Sequence, residues 1–160
     1  MIKTKNNLKS IEVANTGFIN TIRPLLGDGH TVRFRVRGTS MRPVLEDGRD
    51  QVVLAFAEKV VEGDLVLALV SPGWYVLHRV IHKDMERLTL MGDGNLKITE
   101  HCLSADVVGK VVLLVRKGRC IRTDGLPFRI YSVIWIRLNP LRRYLLGFYK
   151  LTGGRYVRSK

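Results

Sequence analysis

Three short segments of the chain contain the residue types of a serine-nucleophile reaction. Ser40 lies in the turn-like segment GTSMRP at residues 38–43, and His78 lies in a strand-like apolar run. Asp93 lies in the segment GDGN at residues 92–95. A serine hydroxyl is inert at neutral pH and needs a base, which a histidine can supply and a carboxylate can orient. The three segments predict acyl transfer with Ser40 as nucleophile, His78 as general base and Asp93 as supporting acid.

Each segment also has a simpler structural interpretation. Serine is a common turn residue, and a histidine among apolar strand residues is more often structural than catalytic. The segment GDGN is typical of a hairpin corner in which Asp93 bonds to its own backbone. Both interpretations stay open for each segment alone, whereas the combination of the three is much more specific.

The combination resembles the signal peptidase I family and its relatives, the self-cleaving peptidases of the SOS-repressor type, over about residues 30–115. Residues 38–43 look like the nucleophile box of the family, and residues 92–95 look like its Gly-Asp-x-Asn box. Gly63-Asp64 looks like the Gly-Asp pair that opens a following strand. His78-Arg79 lies where most bacterial members have Lys-Arg, and is similar to the endoplasmic-reticulum and archaeal enzymes that have His there.

The resemblance implies a mainly β fold, the coiled sheet of signal peptidases and repressors. It implies a serine endopeptidase that cuts an extended leader-like or signal-like segment after small residues. In the implied roles Ser40 attacks and donates its backbone N–H to the oxyanion, His78 is the base, and Asp93 orients or supports the base. Met41 and Pro43 shape the turn and do no chemistry.

Two positions depart from the family pattern. Gly38 stands where signal peptidases usually have a hydroxyl residue that serves the oxyanion, which leaves the second oxyanion donor open. The nearest acids after the GDGN segment are Glu100 and Asp106, at a spacing that differs from the endoplasmic-reticulum type. The first departure and the lack of a visible N-terminal anchor motivate an alternative, a catalytically inactive protein of this fold that binds a peptide or a partner protein.

Apolar periodicity predicts the elements that would position these residues. Residues 8–26 have helical spacing interrupted by Gly17 and Pro24, which predicts a short or broken N-terminal helix. Short apolar or alternating runs between Gly-containing turns predict a mainly β domain. The predicted strands cover residues 31–36, 50–56, 64–70, 74–82, 87–91 and 106–115.

The charge of the chain is concentrated in its C-terminal part. The 160 residues carry a formal net charge of +13, and residues 116–160 hold 12 of the 27 basic side chains but only one of the 14 acidic ones. Residues 1–115 are nearly neutral, with 15 basic against 13 acidic side chains. We therefore expect an N-terminal helical segment at 1–29, a peptidase-like domain at 30–127 and a basic amphipathic segment at 128–160.

The C-terminal segment has the pattern of an amphipathic helix. Asn139-Pro140 is a typical helix start, with Asn as the cap. Apolar residues follow at positions i, i+3, i+4 and i+7, namely Leu141, Tyr144, Leu145 and Phe148. Such a helix suits an interfacial membrane anchor, and it equally suits packing of its apolar face on the β domain with its arginines in water. Nucleic-acid binding is disfavoured because the segment contains no recognised binding module.

Other features predict no cofactor and no metal. The two cysteines and four histidines have neither redox nor metal-ligand spacing. The N-terminus lacks the apolar core of a secretory signal peptide, and no run reaches the ~18–20 apolar residues of a membrane span. We therefore expect a cytoplasmic protein that acts on a peptide or protein substrate, with a peripheral membrane location left open by the C-terminal segment.

Overall fold

An eight-stranded antiparallel sheet forms the body of the protein in the computed structural model, which describes residues 16–152. The strands are β1 (Val32–Arg35), β2 (Gln51–Ala55), β3 (Leu65–Ser71), β4 (Trp74–Asp84), β5 (Arg87–Met91), β6 (Glu100–Leu103), β7 (Val107–Arg116) and β8 (Arg119–Arg122). The helices are α1 (Thr16–Gly27), α2 (Leu126–Arg137) and α3 (Arg142–Thr152). The prediction of a mainly β chain with helical segments before and after the sheet is confirmed.

Strand β7 joins the two parts of the sheet. The strand order is β1-β2-β7-β3-β4-β5-β6, and β8 pairs with the last residues of β7. Irregularities interrupt the β2–β7, β3–β7 and β4–β5 ladders. Bulges of this kind bend a strand and increase its local twist. The order brings β4, which carries His78, to the interior of the sheet and leaves β1 and β6 at its edges.

Both faces of the sheet are covered by apolar side chains. Successive residues of a strand point to opposite faces, and on β3 Leu65 and Leu67 belong to one core cluster while Val66 and Ala68 belong to another. The larger cluster also contains side chains from α1, α2 and the turn that follows Ser40. Burial on both faces explains why β3 is a continuous apolar run.

The six predicted strands lie within two residues of β1–β5 and β7. Strands β6 and β8 are not predicted because four residues with few apolar positions show no recognisable alternation. The predicted N-terminal helix is confirmed over residues 16–27, and its predicted part at 8–15 lies outside the described residues. The prediction that Asn139 caps a helix is wrong, because residues 139–141 form a 3-10 turn with Leu138 at the cap position.

Candidate active site

Ser40 lies on a turn whose backbone is hydrogen-bonded to the turn at residues 92–95. Gly38 opens the Ser40 turn with a φ of +92°, which L-residues rarely adopt. The Gly38 N–H donates to Asp47 Oδ1 at 2.9 Å, and the Gly94 N–H donates to the Ser40 carbonyl oxygen at 2.7 Å. These bonds hold the half-buried Ser40 side chain in a defined position beside the second turn.

His78 is buried in β4 and is oriented by Glu100. Its Nδ1 lies 2.9 Å from Glu100 Oε2, and its side chain is 5% exposed. Glu100 is the first residue of the edge strand β6. When the Nδ1–H group donates a hydrogen bond to this carboxylate, Nε2 carries no proton and is the acceptor. This is the tautomer that a general base requires.

Gly92 lies between His78 Nε2 and the Ser40 turn. A Cβ atom at Gly92 would lie 3.1 Å from His78 Nε2 and would collide with the Ser40 carbonyl oxygen. Ser40, His78 and Glu100 also line one cleft. The structure therefore brings together two of the three residues predicted from the sequence, Ser40 and His78.

Asp93, the predicted supporting acid, does not contact His78. Its two carboxylate oxygens accept hydrogen bonds from Arg79, at 2.7 Å from Nε and 2.6 Å from Nη2, and the pair is buried. The physical reason is the alternation of β4, which sends His78 and Arg79 to opposite faces, with Asp93 on the Arg79 side. Glu100 makes the contact with His78 that the sequence predicts for Asp93, whereas Asp93 is linked to His78 only through Arg79 and β4.

Arg79 connects β4, the strand of His78, to three other segments. Besides Asp93, it donates to the Gly63 carbonyl oxygen at 2.9 Å and to Ser132 Oγ of α2 at 2.5 Å. Two aromatic rings of α2 lie 5.5 and 5.6 Å from the guanidinium, those of Phe128 and Tyr131. The buried charge is therefore paired and well bonded, and it attaches α2 to the strand that carries His78.

The sequence pattern does not predict that Glu100 contacts His78. The available signal is weak, because Glu100 is simply the first acid after the GDGN segment. Since β6 is not predicted, nothing in the sequence indicates that the chain returns beside β5. In the sheet, Glu100 pairs with Leu90 of β5, and this pairing brings its carboxylate back to β4.

The cleft beside Ser40 has a volume of about 500 Å³ and a mostly apolar lining. Its polar and charged lining residues are Arg37, Thr39, Ser40, His78, Asn95 and Glu100. The apolar lining includes Phe18, Phe34, Val36, Leu67, Tyr75 and Leu77. A cleft of this kind suits an apolar side chain held next to a few polar reacting groups.

Cys102 is a poor alternative nucleophile. Burial raises the pKa of its thiol to about 11, so little thiolate is present at neutral pH. Within residues 16–152, no group of three or more His, Cys, Asp or Glu side chains is arranged to hold a metal ion. The grouping that this part of the chain offers for chemistry is therefore that of Ser40, His78 and Glu100.

Comparison with known proteins adds no family assignment. No protein-family model matches the chain, and no curated protein matches it either.

Proposed function

We propose that this protein is a serine endopeptidase of the signal-peptidase type, with Ser40 as nucleophile, His78 as general base and Glu100 as the acid that orients the base. The observation that carries the proposal is the Glu100–His78 hydrogen bond, which leaves Nε2 on the Gly92 side, next to the Ser40 turn. A nucleophile, a base and an orienting acid in one cleft are the parts that acyl transfer requires.

In the proposed reaction, the Ser40 hydroxyl attacks the carbonyl carbon of the substrate peptide bond and its proton passes to His78 Nε2. The C–N bond then breaks, the leaving amine takes that proton, and the acyl group remains on Ser40 as an ester. Water, deprotonated by the same nitrogen, hydrolyses the ester and restores the serine. Glu100 stabilises the imidazolium that forms in both halves of the reaction.

The oxyanion of this reaction needs hydrogen-bond donors beside Ser40. The Ser40 N–H has no acceptor within the described part of the chain and is available for this role. Asn95 lines the same cleft, and its side-chain nitrogen would lie 3.0 Å from a Cβ at Gly92. Asn95 is therefore our candidate for the second donor, in place of the hydroxyl that Gly38 lacks.

The Ser40 and His78 side chains are not joined by a hydrogen bond among the described residues. This is compatible with the proposal because catalytic hydrogen bonds are often long before substrate binds and tighten in the complex. Both side chains line the cleft, and the turn of Ser40 is held next to the base by the Gly94–Ser40 backbone bond.

The proposed substrate is an extended peptide. Strand β1 ends the strand order, so within residues 16–152 its outer edge has no strand partner, and it leads into the Ser40 turn. A peptide can add to such an edge through its backbone. The family resemblance implies small residues before the cleaved bond, whereas the apolar cleft has room for a larger apolar side chain.

Labelling with a fluorophosphonate probe tests the proposal, because this probe reacts with activated serines. We expect peptide mapping to place the adduct on Ser40, and we expect no adduct in His78→Ala. Ser71, at the exposed end of β3, is the internal control and should stay unlabelled. Absence of label on wild-type Ser40 would instead favour the catalytically inactive alternative, a protein that binds a peptide in the same cleft.

Glu100→Gln is expected to lower kcat by about 10²–10⁴-fold, because an amide no longer stabilises the imidazolium. The chain offers a matched control in Glu62→Gln, since Glu62 Oε1 lies 3.0 Å from His82 Nδ1 in a pair whose side chains are both mostly exposed. Steady-state kinetics should show a loss for Glu100→Gln alone. Equal losses in the two variants, or none in either, would contradict the orienting role.

Gly92→Ala is expected to remove activity and to lower the free energy of unfolding. The new methyl group would collide with the Ser40 carbonyl oxygen beside His78 Nε2, and overpacking of this kind costs about 1–3 kcal/mol. Gly147→Ala is the control, because a Cβ there meets nothing within 4 Å. Urea denaturation and cleavage assays measure both effects, and wild-type values for Gly92→Ala would contradict the close approach.

A further inference from the structure

Helix α2 presents a stripe of apolar side chains away from the sheet. Its buried residues are Phe128, Ser132 and Trp135. Its exposed apolar residues, which are 50–72% exposed, are Leu126, Ile130, Val133 and Ile134. Side chains at positions i, i+4, i+7 and i+8 share one face of a helix. This face of α2 is therefore apolar and is not covered by the described part of the chain.

Helix α3 and the residue before it also turn their apolar stripe outwards. The stripe that the sequence predicts is 40–67% exposed at Leu141, Tyr144, Leu145 and Phe148. The buried residues of α3 are instead Arg142 and Leu146. The sequence left two alternatives open for this helix, an interfacial membrane anchor or packing of its apolar stripe on the β domain with its arginines in water. The second alternative is wrong, because the stripe is exposed and Arg142 is buried.

Arg142 and Tyr149 hold α3 in this orientation. Arg142 Nη2 donates to the Trp135 carbonyl oxygen at 3.0 Å, and Nη1 donates to the Asn95 carbonyl oxygen at 3.3 Å. Burial lowers the pKa of Arg142, and the negative charge of Asp93 opposes this shift. The guanidinium also lies 5.2 Å from the centre of the Trp135 ring. The Tyr149 hydroxyl donates to Glu46. The outward direction of the stripe is thus set by specific bonds, one of which reaches the turn at residues 92–95.

Exposed basic side chains lie on the same helices and on the strand that precedes them. They are Arg137 of α2, Arg143 and Lys150 of α3, and Arg119 and Arg122 of β8. The one acidic side chain in residues 116–160 is Asp124, which pairs with Arg122 at 2.6 Å. A second copy of the chain would bring the same exposed basic side chains to this face, so charge repulsion opposes self-association. An anionic surface satisfies both the charge and the apolar area.

We propose that the exposed stripes of α2 and α3, here called the helical surface, bind in the interface of an anionic membrane. No helix within residues 16–152 is long and apolar enough to cross a bilayer, and interfacial binding needs none. In this mode the apolar side chains enter the headgroup boundary while the arginines contact lipid phosphates. The inference does not depend on the cleft being catalytic.

The contacts of α2 and α3 give this binding a consequence for the cleft. Ser132 of α2 bonds to Arg79 of β4, and Arg142 of α3 bonds to the Asn95 backbone. The helical surface is therefore attached to the segments that position His78 and the turn at residues 92–95. Binding to a bilayer would hold the cleft at a fixed distance from the lipid surface, where a membrane-associated peptide could reach it.

Co-sedimentation of the full chain with lipid vesicles tests the inference. We expect binding to vesicles of phosphatidylglycerol mixed with phosphatidylcholine at low salt, weaker binding at physiological salt, and little binding to phosphatidylcholine alone. Leu151, which is 87% exposed, follows Phe148 by three positions in α3 and extends the stripe. The double variant Phe148→Ser/Leu151→Ser should lower the binding constant by at least about tenfold. Met85→Ser, at an 86% exposed apolar residue of the β4–β5 hairpin, is the matched control and should bind like the wild type. Circular dichroism verifies that each variant folds.

Three outcomes would overturn the inference. One is the absence of binding to anionic vesicles at both salt concentrations. Another is a loss for Met85→Ser as large as that for the double variant. The third comes from sedimentation velocity without lipid, where a dimer that Phe148→Ser/Leu151→Ser dissociates would show that a second copy covers the helical surface.

Discussion

Ser40→Ala is expected to abolish peptide-bond cleavage while leaving the stability of the protein unchanged. The hydroxyl oxygen forms the acyl ester in the proposed reaction, and loss of the nucleophile in serine hydrolases lowers kcat by at least about 10⁴-fold. Within the described residues, the Ser40 hydroxyl makes no hydrogen bond, so its removal leaves no buried partner unsatisfied. The free energy of unfolding should therefore stay within about 0.5 kcal/mol of the wild-type value.

A mixed pool of peptides analysed by mass spectrometry measures this effect on many candidate substrates at once. Ser71→Ala, at the exposed end of β3, is the control and should cut the same peptides as the wild type. Wild-type turnover by Ser40→Ala would show that another group performs the chemistry. A wild-type protein that cuts no peptide and takes no fluorophosphonate label would favour the alternative of a peptide-binding protein.

Asp93→Ala is expected to produce the largest loss of stability. It would leave the Arg79 guanidinium buried without its carboxylate, and breaking a buried ion pair costs about 3–5 kcal/mol. We expect the lower end, about 3 kcal/mol, because Arg79 keeps the Gly63 carbonyl and Ser132 Oγ as acceptors. That is a large part of the ~5–15 kcal/mol that stabilises a typical domain. The midpoint of urea denaturation measures the loss.

Two further variants test whether the loss of stability in Asp93→Ala comes from the unpaired buried charge of Arg79 or from the removal of any aspartate. Asp124→Ala removes the partner of Arg122 in an exposed pair, and its denaturation midpoint should stay close to the wild-type value. The double variant Arg79→Met/Asp93→Leu removes both buried charges and should recover much of the stability that Asp93→Ala loses. A small effect of Asp93→Ala, or no recovery in the double variant, would contradict the structural role of the pair.

The Asp93 and Glu100 variants also distinguish two ways in which a carboxylate could support His78 in the proposed reaction. Glu100→Gln should lower kcat with little change in unfolding, because Glu100 contacts the imidazole directly. Asp93→Ala should act first on stability, because Asp93 contacts Arg79 and reaches His78 only through β4. If one variant lowers mainly kcat and the other lowers mainly the free energy of unfolding, Glu100 has a catalytic role and Asp93 has a structural one.

The parts of the site that could be predicted are those that short windows of sequence define. The Ser40 turn, the strand of His78 and the GDGN turn depend on Gly, Pro and apolar alternation over a few residues. The bond between His78 and Glu100 spans 22 residues of the chain and requires β6, which is too short to recognise. Long-range pairing therefore had to come from the tertiary structure.

The sequence by itself determined a mainly β chain, a nearly neutral domain with a serine and a histidine suited to acyl transfer, and a basic C-terminal segment with an apolar stripe. Only the tertiary structure decided that Asp93 pairs with Arg79 while Glu100 pairs with His78, because adjacent strand residues face opposite sides of the sheet. It also decided which face of α3 is buried. Helical spacing defines an apolar stripe but does not say whether the stripe faces the protein or the solvent. Here Arg142 is buried because it donates hydrogen bonds to the Trp135 and Asn95 carbonyl groups, and the apolar stripe is therefore exposed.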